Sequence, residues 1–121
     1  MNYHPTVLHF AHVDAAVQAM EAIGSDPAGI RIMAPKAIFR VIKLEKLPSK
    51  EANLLKQTFL AKGGEVAVAR GTADLSVETT DVIICATLRQ YQRALAQLKI
   101  QPWGLPRVAA AIESVLNDQG G

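Results

Sequence analysis

Apolar and polar positions alternate most clearly in the middle of the chain. Phe39-Arg-Val-Ile-Lys-Leu44 is rich in β-branched and large apolar residues, which suit a pleated, half-buried surface. Pro48 cannot donate to a sheet ladder and biases Leu47 toward an extended conformation, so the strand is expected to end there. The period then changes. Ala52, Leu55, Phe59 and Lys62 recur at helical spacing, with Leu54 and Leu60 widening the apolar side. Ser49 offers an N-cap hydroxyl, Glu51 favours the positive end of the dipole, and Gly63-Gly64 closes the helix. Val66 and Val68 restart a short strand.

The flanks read in the same way. Thr6 to Ala11 predicts a first strand, and Asp14 a cap for a helix through Ile23, with Val17, Met20 and Ile23 inward and Gly24 as the stop. Asp26-Pro27 is a second start signal, an N-cap followed by proline, with Ile30 and Met33 inward until Pro35. After Gly71-Thr72, the alternation of Leu75 and Val77 with Asp74, Ser76 and Glu78 predicts a short edge strand. Val82-Ile-Ile-Cys-Ala86 is the most continuous apolar run and predicts a central strand buried on both faces. Thr87-x-x-Gln90 matches a capping box, so a helix is expected from Leu88, striped by Tyr91, Ala94, Leu95 and Leu98. Pro106 opens a last helix with Val108, Ala109, Ile112 and Leu116 inward.

From residue 39 the order is β-α-β-β-α. This points to an α+β (α/β) sandwich, a sheet covered by helices, with the split β-α-β of ferredoxin-like folds. A Rossmann-like open parallel sheet is the alternative, although its phosphate fingerprint is missing. Residues 1–116 are expected to form one domain, with 117–121 a disordered tail or linker.

Length and composition sharpen this picture. The 121 residues suit one core and are too few for a barrel of roughly 250 residues. No apolar run approaches the roughly 20 residues of a membrane span, and the N-terminus lacks the pattern of a signal peptide. Cys85 is the single cysteine, which suits a reducing cytoplasm. The net charge of +2 is unevenly spread: residues 31–70 carry nine bases against Glu45, Glu51 and Glu65. Such a segment could attract phosphates. No aromatics interleave with the bases as a stacking platform would need, so a solvated lysine surface is expected rather than nucleic-acid binding.

Candidate chemistry is sparse. His9 and His12 would point to opposite faces of a strand, so the set His4, His9 and His12 predicts no metal site. Cys85 lies in an apolar run and is expected to be an inert buried thiol. Ligands of open sheets gather beyond strand ends at helix N-termini, and Thr87 sits at such a junction. Arg70 and Thr72 follow the preceding strand and complete a candidate ligand site with Thr87, if the two strands pair so as to bring them close. Against this, Thr87 serves as a plain cap. Gly63-Gly64 lacks the phosphate-loop pattern. Trp103, between Pro102 and Pro106, is a candidate interface residue. No cofactor and no catalytic residue are indicated.

Several segments together are similar to a known family. They are Ile32-Met-Ala-Pro-Lys-Ala37, Lys43-Leu-Glu45, Ala52-Asn-Leu-Leu-Lys-Gln57, Gly63 through Gly71, Ala86-Thr-Leu-Arg-Gln-Tyr91 and Gln101-Pro-Trp-Gly-Leu105. They resemble the N-terminal extension of some bacterial dihydropteroate synthases over about residues 27–106. In that family the enzyme domain is a TIM barrel that joins p-aminobenzoate to a dihydropterin pyrophosphate in folate synthesis. Its pterin-binding signatures have no match here, so the resemblance transfers no catalytic residue. It implies a non-catalytic accessory or regulatory domain, with a synthase barrel as partner in cis or in trans. A stand-alone small-molecule or phosphate-binding module is the alternative. Self-association into a homo-oligomer stays open.

Overall fold

The computed structural model describes residues 2–118. In chain order the elements are α1 (Val13–Ala22), α2 (Pro27–Met33), a 3-10 turn (Ala34–Ala37), β1 (Phe39–Pro48), α3 (Ser49–Ala61), β2 (Glu65–Val68), β3 (Thr79–Thr87), α4 (Leu88–Leu98) and α5 (Leu105–Asp118).

The three strands form one sheet in the order β1-β3-β2, and β3 pairs antiparallel with both neighbours. β1 and β2 therefore run parallel with β3 between them, which is the split β-α-β arrangement. The antiparallel ladders rule out the parallel Rossmann-like sheet. The chain is an α+β sandwich in which α3 and α4 cover one face of the sheet. α5 packs on α4, and α1 and α2 gather around the 3-10 turn.

The core lies between that face and the helices. Ile42, Val66, Val82, Ile84 and Ala86 supply the sheet side; Leu55, Phe59, Tyr91, Leu95 and Leu98 supply the helical side. Phe59 and Tyr91 meet edge to face at 5.3 Å and 72°, a geometry that aligns a ring edge with a negative π face. The Tyr91 hydroxyl shares its one proton between the carbonyls of Arg40 (3.0 Å) and Ile84 (3.3 Å), so it pins α4 to both β1 and β3. Burial holds its pKa well above the ordinary phenol value, with the nearby Cys85 adding to the shift.

Local signals explain several boundaries. The Asp26 carboxylate accepts from the Ala28 and Gly29 amides and starts α2. Thr87 and Gln90 form the full capping box of α4. Gly63 takes φ +88 after α3, and Gly71 takes φ +89 in the turn after β2.

Other expectations are corrected. Residues 6–11 form no strand. Val7 and Leu8 are exposed, and only Phe10 leans on the core. Residues 74–78 are turn and bend rather than an edge strand. α1 begins after His12, with Asp14 in its first turn and no side-chain cap. Ser49 does not cap α3; its hydroxyl donates to the Val77 carbonyl at 2.6 Å. Ile23, Met33 and Leu60 face solvent. The last helix continues through Asn117 and Asp118, so that part of the expected tail is helical, and residues 119–121 lie outside the described residues. No described helix is long and apolar enough to cross a membrane.

Candidate functional site

The residues expected to form a ligand site do not come together. β2 ends at Val68, opposite Val82, so Arg70 and Thr72 lie near the start of β3. Thr87 is at its far end, opposite Phe39. Five residues of extended chain separate Val82 from Thr87, roughly 17 Å. Thr72 is fully buried; its hydroxyl donates to the Ala69 carbonyl at 2.7 Å, and its own carbonyl accepts from Asn53 Nδ2 at 2.9 Å. Thr87 is committed to the α4 cap. Arg70 is exposed in the turn. Thr72 and Thr87 therefore spend their hydroxyls on backbone structure.

The loop around Thr72 is internally knit. Ser76 donates its amide to the Asp74 carboxylate at 3.0 Å. The Ser76 hydroxyl and amide together hold the Asp74 carboxyl below its usual range. Thr80 Oγ1 accepts from the Ala69 amide at 2.9 Å and donates to the Asp81 carbonyl.

A groove of about 280 Å³ opens between the end of β1 and the start of α5. Leu44, Leu47 and Val108 line its apolar part, while Glu45, Glu51 and Arg107 add charge. Two residues at or beside it hold positive φ without being glycine: Lys46 (φ 57), at the β-bulge of β1, and Trp103 (φ 61). The Lys46 amide, turned away from the ladder by that bulge, donates to the Asp81 carboxylate at 3.0 Å. Trp103 is exposed, with the Lys50 ammonium 5.8 Å from its ring centroid. A Cβ at Gly104 would meet Glu51 Oε1 at 2.8 Å, so the carboxylate lies close against the start of α5, where the helix dipole favours it.

The feature missed from sequence is the second face of the sheet. β3 is buried only on the side of Val82, Ile84 and Ala86, and no described helix packs on the other. Phe39 is 57% exposed, Val41 61% and Ile83 41%. Cys85, expected to be deeply buried, is half-buried between Val41 and Glu65. Lys43 and Ala67 flank Ile83 in the next row. The available signal was that both alternating sets of Phe39–Leu44 contain apolar residues, so one set had to lie outside the core. The described residues contain no group of three or more His, Cys, Asp or Glu able to hold a metal ion, and His4, His9 and His12 are exposed and scattered.

Comparison with known proteins supplies what this geometry does not. The chain is 33% identical over 107 residues to a probable bifunctional folylpolyglutamate synthase/dihydropteroate synthase of Halobacterium salinarum, a match covering 88% of this chain. It is 27% identical over 103 residues, 85% of its length, to a bifunctional dihydropteroate synthase/dihydropteroate reductase of Helicobacter pylori. The chain is a dihydropteroate synthase-related domain. It spans only 13% and 27% of the length of those two relatives, which are larger proteins. No family model matches it, and no solved structure does.

Proposed function

We propose that this domain is an accessory, non-catalytic partner of a dihydropteroate synthase barrel, held in cis or in trans, and acts in folate biosynthesis in the cytoplasm. One observation carries the reading. Nearly the whole chain aligns with a minor segment of larger proteins whose names include dihydropteroate synthase. The distribution of polar groups supports it. Thr72 and Thr87 spend their side chains on structure, while Phe39, Val41 and Ile83 on one sheet face, and Trp103, are among the exposed apolar side chains. The single unpaired Cys85 fits a reducing compartment.

The test is steady-state kinetics of the dihydropteroate synthase polypeptide from the same organism, with and without this domain, paired with calorimetry. The reading expects association, together with a change in kcat or KM for the synthase. Neither effect at saturating domain would defeat it.

The Helicobacter relative favours a second reading, because its name couples a dihydropteroate reductase to the synthase. On this reading the domain contributes to that reduction. Dihydropteroate reduction with a nicotinamide hydride donor, assayed for domain, synthase and mixture, separates the two. Reduction that needs the domain favours the second; its absence beside an intact effect on the synthase favours the first.

A further inference from the structure

The open face of the sheet gathers exposed apolar side chains on regular strands, with no described helix packed on them. Its centre is Phe39, Val41, Ile83 and Cys85, with Lys43 on the β1 side and Glu65 on the β2 side. Antiparallel sheets often leave one face to water, and the water-facing positions are then polar. Here the face is apolar at its centre and charged at its rim, which is the anatomy of an interface.

Size narrows the choice of occupant. Three strands about 4.8 Å apart, over about five residues at about 3.3 Å each, give a footprint on the order of 240 Å². Even allowing for side-chain relief, this falls short of the ~800 Å² per partner typical of stable free-standing association. A small face suffices when the partner is tethered, because linkage supplies a high effective concentration. The relatives carry this segment within much longer chains, so in them such a tether exists.

Resting on the accessory reading above, we propose that this face docks the dihydropteroate synthase portion of its assembly. The docking patch on the synthase is apolar, with an acidic group opposite Lys43 and a basic group opposite Glu65.

Cys85 gives a direct readout, because its thiol sits at the centre of the face. Alkylation at Cys85 is followed by mass spectrometry of its peptide, for the domain alone, with saturating synthase polypeptide, and joined to it by a flexible linker. Docking is expected to slow alkylation about tenfold, since thiol reactivity tracks access. Ile83→Lys and Val41→Lys change solvent-facing side chains and should restore the rate, with circular dichroism and melting confirming an intact fold. Alanine at Trp103, away from the face, should leave the slowing in place. If the synthase binds or changes its kinetics while Cys85 reacts at the free rate, the face is wrong and the accessory reading stands. If nothing binds and the rate is unchanged, both fail. Slowing that depends on domain concentration without synthase means a second copy occupies the face, and overturns the assignment.

Discussion

Single residues of this domain hold the backbone more than they present chemistry. At Gly71, φ is +89 and a Cβ would stand 2.4 Å from Ser76 Oγ. Gly71→Ala should cost about 1–3 kcal/mol by chemical denaturation, because left-handed strain and a steric clash coincide. Tyr91 carries a pH signature. Its folded pKa is raised by burial, so the unfolded chain releases its phenol proton first as pH climbs past about 10. This contribution to stability is complete below that pH and declines above it. Urea titrations at rising alkaline pH should show a steeper loss for the wild type than for Tyr91→Phe. The variant itself should be weaker near neutrality by about 1–2 kcal/mol, since the phenolic donor that the two carbonyls share is lost. Ser49 marks where residue chemistry misleads. Read alone it is a cap; in the structure the 71–78 loop lies beside it and claims its hydroxyl.

Helices were the more legible elements. The signals at Asp26-Pro27, Thr87-x-x-Gln90 and Gly63 are local, so neighbours in sequence suffice to read them. Thr87→Ala should lower stability by about 1 kcal/mol and loosen the start of α4 in hydrogen exchange. Strands depend on partners. Residues 6–11 have strand-like composition but no ladder, and the chain there stays exposed apart from Phe10. The Val82–Ala86 run reads as buried on both sides, because apolar continuity records a preference for contact and not which molecule provides it. The edge of β1 that pairs with no described strand carries Lys43 and Lys46, charges that oppose pairing with stray strands.

The whole domain has a core closed on one side and a sheet open on the other. The candidate ligand site could not be judged from sequence, because strand direction alone decides whether Arg70 and Thr72 approach Thr87. The basic segment shows the same dependence. Lys43 faces the open side of the sheet, Lys50 and Lys56 ride on α3, and Arg31 is on α2, so the charges divide among separate elements. Single-stranded RNA should accordingly give no saturable anisotropy change at about 150 mM salt.

The placement of β3 between its two neighbours also sets an order of events during synthesis. β1 and β2, with α3 between them in sequence, leave the ribosome before β3, and the lane between the two strands is the one residues 79–87 fill in the folded sheet. From the end of β2 to the end of β3 the ribosome adds roughly nineteen residues, about 1–4 s of elongation. Throughout that interval two strands wait unpaired on either side of a gap, and the sheet is vulnerable to any extended segment that reaches the lane before β3.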